Sequence, residues 1–281
     1  MLHYGQFVVT YRMERYGIIA HPVKHSLTPA MYGAAFRALG MDAVCDGHDV
    51  LPEKLEAFFR DFRADPQWKG LAVSFPLKEE IIPFLDSLDP IAAEIGAVNT
   101  IRVGQDGKLE GFNTDWIGIT KALEGRELAW KKVLIVGARG LARAAIYALK
   151  TLGMHVSIMN RTEERAQNLA QHFHVDYLPY DFSGTDAYDL VVNATAVGSD
   201  SYTSPVPIDF WENHGNGIAF DAIYRPIATR FTDEASRAGW NIIPGYDMLA
   251  HQAVPQFEIL TGKTVDVSLF QSTIEENKAK V

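Results

Sequence analysis

One stretch constrains this chain more than any other. Lys132 to Val136 reads as a buried strand, Gly137 to Gly140 as a glycine turn, Leu141 to Leu152 as a helix and Val156 to Met159 as a second strand. Strand, turn, helix and strand in that order make one right-handed crossover unit, which commits the region to a parallel sheet with helices on its faces. The alternation continues on both sides. Tyr16 to Ala20, Leu71 to Phe75, Leu190 to Asn193, Ile218 to Asp221 and Asn241 to Ile243 read as further strands. Pro29 to Leu39, Glu53 to Phe62 and Ile117 to Leu123 have helical spacing, the second with Leu55, Phe58, Phe59 and Phe62 on one face. Lys78 to Leu85 reads as a short helix interrupted by Pro83. The expectation is an α/β fold with mainly parallel sheets, and 281 residues suffice for roughly two domains.

The glycine turn also points to a ligand. A turn between a buried strand and a helix start aims backbone N–H groups and the helix dipole at an anion, as a dinucleotide pyrophosphate requires. Gly137, Ala138, Arg139, Gly140, Leu141 and Ala142 are the candidate contacts. Arg139 occupies the position where a second glycine normally lets the backbone approach the phosphates, so the pattern is incomplete. About 20 residues after such a turn, NAD-binding domains carry an acid for the ribose 2′-hydroxyl, whereas NADP needs cations for a phosphate. Here the second strand runs into Asn160-Arg161-Thr162-Glu163-Glu164-Arg165, with no acid at its tip. A guanidinium binds phosphate through two parallel hydrogen bonds, so Arg161 and Arg165 favour NADP over NAD. The alternative is that both arginines cover a helix start and pair with Glu163 or Glu164.

Charge and residue counts then exclude whole classes. Lys+Arg 26 against Asp+Glu 35 leaves a net −9, which argues against general affinity for nucleic acid or an anionic membrane. Anionic ligands must therefore be held by local groups. No run approaches the ~18 apolar residues of a membrane span, and the N-terminus lacks the long apolar core of a signal peptide. Cys45 is the only cysteine, too few for an intrachain disulfide or a multi-cysteine metal site. A soluble cytoplasmic protein is expected. Met13-Glu14-Arg15-Tyr16 would make a natural start, so residues 1–12 read as an extra strand, an appended segment or an upstream start. His172 and His174 sit on alternating phase beside an expected strand and have no acidic partner at metal spacing, so no metal site is expected. With no nucleophile elbow and no Ser-His-Asp order, hydrolase readings drop out.

The polar segments are unremarkable singly. His25-Ser26-Leu27-Thr28-Pro29 puts two hydroxyls ahead of a helix, where Ser26 or Thr28 would ordinarily cap it. Ala72-Val73-Ser74-Phe75 leads into Pro76-Leu77-Lys78, and Gly96-Ala97-Val98-Asn99-Thr100 and Gly111-Phe112-Asn113-Thr114-Asp115 read as polar turns. Taken together and in this order, these segments resemble the shikimate dehydrogenase family, including its quinate/shikimate dehydrogenase relatives. The resemblance runs from about Tyr16 into the C-terminal region. It implies an N-terminal α/β catalytic domain of residues 1–115 with 250–281, and a doubly wound Rossmann-type domain of residues 116–249.

By the same resemblance, Lys78 and Asp115 form the catalytic pair. Ser26, Thr28 and Tyr224 bind the substrate carboxylate, Asn99 the ring hydroxyls, Ser74 takes a position usually held by Thr, and Gln252 also contacts substrate. Asn193-Ala194-Thr195 and Gly245 look like cofactor-side segments near the nicotinamide. The implied reaction is NADP-dependent interconversion of 3-dehydroshikimate and shikimate, a step of chorismate and aromatic amino acid biosynthesis. Its chemistry suits the pair, because a lysine beside an aspartate can exchange the hydroxyl proton as hydride leaves carbon. Arg139, Ala72, Asp247 and Thr28 depart from the family pattern around the ligands. Relaxed specificity toward quinate or use of NAD is therefore an alternative. His25 and His251 flank the substrate segments as supporting candidates. An alternative of another class is a non-catalytic ligand sensor on the same fold, against which the intact Lys78 and Asp115 weigh.

Overall fold

The structure is a computed structural model that describes residues 13–126, 131–180, 187–207, 210–213 and 217–278. The expectation for residues 1–12 lies outside the described residues. The first sheet is built from β1 (Glu14–Ala20), β2 (Ala43–Asp49), β3 (Trp68–Val73), β4 (Ser87–Leu88), β5 (Thr100–Val103) and β6 (Leu109–Phe112), in the order β2-β1-β3-β5-β6-β4. Its helices are α1 (Thr28–Leu39), α2 (Leu55–Ala64) and α3 (Pro90–Ile95). The expectation of parallel strands holds for β2, β1 and β3, whereas β3, β5 and β6 pair antiparallel. The reason is local: β5 and β6 are joined by only residues 104–108, closed by the Gly104 N–H donating to the Lys108 carbonyl at 2.8 Å. A connection that short permits only an antiparallel hairpin.

Helix α4 (Asp115–Ala122) leads into the second sheet, of β7 (Lys132–Val136), β8 (His155–Met159), β9 (Asp176–Tyr177), β10 (Leu190–Asn193), β11 (Ile218–Asp221) and β12 (Asn241–Ile243). Its order is β12-β11-β10-β7-β8-β9 and every pairing is parallel. The strand order therefore reverses between β7 and β10, and the crevice at the carboxyl ends of those two strands is where doubly wound sheets hold ligands. Helices α5 (Gly140–Thr151) and α6 (Glu163–Phe173) are followed by α7 (Phe210–Asn213) and α8 (Arg230–Arg237). Both faces of β7 are buried, Val133 and Ile135 in one apolar cluster and Leu134 and Val136 in another with Trp211, Phe231 and Trp240. Ala142, Ala144, Ala145 and Ala148 let α5 lie close against the sheet.

The chain returns through α9 (Gly245–Thr261), which starts after β12, and ends with α10 (Val267–Lys278). The far half of α9 packs Phe257 against Tyr32, Phe36 and Phe270. Helices α4 and α9 cross closely at Gly118, where a Cβ would stand 2.7 Å from the Met248 carbonyl oxygen and from the Gln252 Cβ. Two sequence expectations fail here. Residues 75–81 form turns and Ile82–Phe84 a single 3₁₀ turn, in place of a helix from Lys78 to Leu85. Pro83 lacks the N–H group that a continuous helix would need at that position, and the N–H groups of Ile82, Phe84 and Leu85 bond three residues back. His172 lies in the last turn of α6 and His174 is its left-handed cap (φ 54), so neither flanks a strand on alternating phase.

Candidate active site

A cleft of about 900 Å³ opens between the carboxyl ends of the two sheets. Lys78 and Asp115 meet on its wall, the Lys78 Nζ donating to Asp115 Oδ2 at 2.6 Å, with side chains 15% and 4% exposed. They are 37 positions apart in the chain. The turn after β3 delivers the lysine, pinned by the Val98 N–H donating to the Lys78 carbonyl at 2.8 Å. Asp115 is the first residue of α4, its own N–H bonded to Asn113 Oδ1 at 3.0 Å while Asn113 Nδ2 reaches the Ala97 carbonyl at 2.9 Å.

Asn99 organises the floor. Its Nδ2 lies 3.0 Å from Asp115 Oδ1, 2.9 Å from Thr114 Oγ1 and 3.1 Å from Gln252 Oε1. Its Oδ1 accepts from the Thr114 N–H at 2.9 Å and from Thr100 Oγ1 at 2.7 Å. Gln256, one turn beyond Gln252 on α9, donates to the Asn99 carbonyl at 2.8 Å and accepts from the buried Tyr32 hydroxyl at 3.0 Å. A fully bonded buried network of this kind holds its side chains in one arrangement. The sequence reading missed Thr114, Gln256 and Tyr32. The four-residue spacing from Gln252 to Gln256, which places both on one face of a helix, was a signal that could have found the second.

Ser26, Thr28, Ser74 and Tyr224 line the same cleft. Ser26 Oγ accepts from the Thr28 N–H at 3.2 Å, but neither hydroxyl caps α1, whose cap position is Leu27. The expected capping role is thus confined to that one turn. Burial pushes the Tyr224 phenol up, partly opposed by the nearby Arg225 charge and by the Ser26 hydroxyl. His25 also lines the cleft, with a buried Nδ1 that has no hydrogen-bond partner among the described residues. Its imidazole is held below the usual histidine range, chiefly by desolvation and then by the Arg225 and Lys24 charges. His251 is not among the lining residues, whereas His21, unselected from sequence, is.

On the other wall, Gly137, Ala138, Arg139, Gly140 and Leu141 line the cleft with Asn160, Arg161, Thr162 and Arg165. Ala194, Thr195 and Gly245 complete the set. Ala142 and Asn193, expected as contacts, do not line it; both are wholly buried, Ala142 in the helix–sheet core and Asn193 bonded to Asp221. Gly137 has φ +122, and a Cβ there would stand 2.8 Å from the Ala194 carbonyl oxygen, so only glycine suits this switch-point crossing. Gly140 abuts the Lys78 side chain, where an added Cβ would lie 2.9 Å from the lysine Cβ. Helix α5 begins at the cleft with no side-chain cap, so its first N–H groups are open to an anion there. Arg139 is exposed and its guanidinium lies 5.5 Å from the ring centroid of Phe75, across the cleft on the first sheet's side. Among the described residues neither Arg161 nor Arg165 forms an ion pair, so the alternative of pairing with Glu163 or Glu164 is not realised.

A six-stranded doubly wound sheet, a glycine turn at its switch point, and a buried lysine–aspartate pair facing that turn define a two-lobed Rossmann-type protein of the dehydrogenase kind. Comparison with known proteins agrees. Residues 18–101 match the shikimate dehydrogenase substrate binding domain, 120–202 the shikimate / quinate 5-dehydrogenase model, and 245–275 the shikimate 5'-dehydrogenase C-terminal domain. The shikimate dehydrogenase (NADP(+)) of Aquifex aeolicus is 36% identical over 96% of this chain and 99% of its own. That of Moorella thermoacetica is 39% identical over 92% of each. The solved structure of shikimate 5-dehydrogenase from Thermus thermophilus in complex with NADP(H) and shikimate superposes with a TM-score of 0.84 at 36% identity, covering 94% of this chain and 99% of that one. This chain belongs to the shikimate dehydrogenase family.

Proposed function

We infer that this protein is an NADP-dependent oxidoreductase that interconverts 3-dehydroshikimate and shikimate. The observation that carries the reading is the Lys78–Asp115 pair, buried at one end of the cleft and packed directly against Gly140 of the glycine turn. The cofactor wall fits a dinucleotide: the glycine at φ +122 and the uncapped start of α5 form a backbone cradle, and the unpaired Arg161 and Arg165 supply cations for a ribose phosphate. When bound, NADP would supply or accept the hydride. Lys78 then exchanges a proton with the reacting oxygen, donating in reduction and accepting in oxidation. Asp115 orients the ammonium through Oδ2, while Asn99 holds Oδ1 in place. Ser26, Thr28 and Tyr224 offer neutral hydroxyls to a small carboxylate, which suits a chain of net −9. Ser74 and Gln252 face the same substrate from the cleft wall.

The reading also assigns the chain's halves. Residues 1–115 with 250–281 would serve as the catalytic domain and 116–249 as the nucleotide domain, with α9 running unbroken through positions 249 and 250. No helix among the described residues is long and apolar enough to cross a membrane. The test is turnover followed by reduced-nicotinamide absorbance, with shikimate or quinate and NADP or NAD as the four combinations. Shikimate with NADP is expected to give the highest kcat/KM. Binding of both ligands without turnover would instead identify a sensor.

A further inference from the structure

Asp221 belongs to none of the groups assigned above, yet it joins the two walls. Parallel pairing of β10 and β11 sets Asn193 opposite Asp221 at the carboxyl end of both strands. Asp221 is 1% exposed, and its carboxylate receives three hydrogen-bond donors from three different segments. Oδ1 accepts from Asn193 Nδ2 and from the Ile223 N–H, each at 3.0 Å. Oδ2 accepts from Thr229 Oγ1 at 2.5 Å, the residue that caps α8.

Two of these donors each lead to a different piece of the cleft, while Thr229 ties Asp221 to the start of α8. Asn193 turns its Oδ1 to the N–H and hydroxyl of Thr195, at 3.0 and 2.7 Å, and so shapes the loop whose Ala194 and Thr195 line the cofactor side. The Ile223 bond closes the turn that leads to the next residue, Tyr224, which lines the cleft with Ser26 on the substrate side. Burial pushes the Asp221 carboxyl up to about 6, against the pull of its three neutral donors. The fold thus carries a carboxylate at neutral pH where an amide or an apolar residue would cost less.

We propose that Asp221 is a positioning residue that locks the cofactor-side loop to the substrate-side loop, so that Tyr224 and the Asn193-Ala194-Thr195 segment are set together. The proposal rests on the function inferred above. Asp221→Ala is expected to raise KM for both shikimate and NADP by about ten-fold, whereas Asp221→Asn, which keeps the Oδ1 acceptor, stays within about three-fold of the parent. Tyr224→Phe raises KM for shikimate alone. An Asp221→Ala enzyme that folds and leaves either KM within about two-fold of the parent overturns the proposal, as does Asp221→Asn behaving like Asp221→Ala. If Asp221→Ala does not fold, Asn193→Ala decides: it should raise KM for NADP about five-fold with shikimate little affected, and no change in the first overturns the proposal. Fluorescence titration with NADPH reads the cofactor side without turnover. A parent that binds NADPH yet does not turn over shikimate therefore counts against the inferred function, and the variants' NADPH affinities still test the lock.

Discussion

Replacing Lys78 by methionine separates the charge of this residue from its packing. The hydrocarbon stem stays in place against Gly140, so no cavity opens, and only the ammonium that pairs with Asp115 at 2.6 Å is lost. Asp115, with a side chain 4% exposed, then keeps Asn99 Nδ2 at 3.0 Å as a side-chain donor but has no cation. Breaking a buried pair from one side typically costs about 3–5 kcal/mol. A carboxylate can escape by taking up a proton, which at pH 7 costs an ordinary carboxyl about 4 kcal/mol, and this sets the ceiling. Lys78 retains some solvent contact, so the expected destabilisation is about 2–4 kcal/mol at pH 7. Adding Asp115→Asn removes the orphaned charge and should recover more than half of that loss. Turnover should fall by about two to four powers of ten in the single and in the double variant, because proton exchange with the reacting oxygen is gone from both. Denaturant melts and reduced-nicotinamide absorbance, both at pH 7, measure the two effects. A double variant as unstable as Lys78→Met, or a turnover loss of less than about ten-fold, would refute the reasoning.

Three further outcomes are expected. Gly140→Ala places a methyl 2.9 Å from the Lys78 Cβ and should lower kcat by about ten-fold or more while costing stability only about 1–2 kcal/mol, read by kinetics and melting together. Exchanging both Arg161 and Arg165 for Ala should cut kcat/KM with NADP by about two powers of ten and leave that with NAD nearly unchanged, since only NADP carries the extra phosphate; equal losses with both cofactors would assign the arginines a structural role. Burial raises the Asp221 carboxyl from 3.8 to about 6, so its contribution to stability is full below 3.8 and is lost as pH rises through about 6. Relative to the parent, Asp221→Asn should therefore gain up to about 3 kcal/mol between pH 4 and pH 7, and a gap that does not change with pH would contradict this.

Much of the fold was legible because its signals are local. The β7 and β10 to β12 runs are apolar except for one terminal residue each, since both faces of the second sheet are covered, and their observed bounds match the sequence reading. The hairpin β5–β6 was less legible: four-residue strands beside polar turns carry little periodicity, and their antiparallel pairing comes from a tight connection. The stretch from Lys78 to Leu85 reads as a short helix that Pro83 cuts to a single 3₁₀ turn. Most expected site residues do line one cleft, but Ala142 and Asn193 do not. Ala142 lies in a motif that reads as a unit along the chain, whereas on the helix its side chain points into the sheet.

By itself the sequence determined the class of architecture, the glycine turn with the arginines that follow its second strand, and the ordered polar segments that mark the family, all of which are written in residues near one another. Tertiary structure decided what those segments do jointly. It brought Lys78 to Asp115 across 37 positions and Asn99 to Gln252 across 153, laid Gly140 on the lysine stem, and stretched Arg139 over Phe75 between the lobes. The net −9 composition is likewise indifferent to where charge sits; only the fold brings Arg139, Arg161, Arg165 and the acid-paired Lys78 to the lining of one cleft. Hydrogen bonds and ion pairs act over a few ångströms, so chemistry that needs residues far apart in the chain exists only once packing has closed the distance.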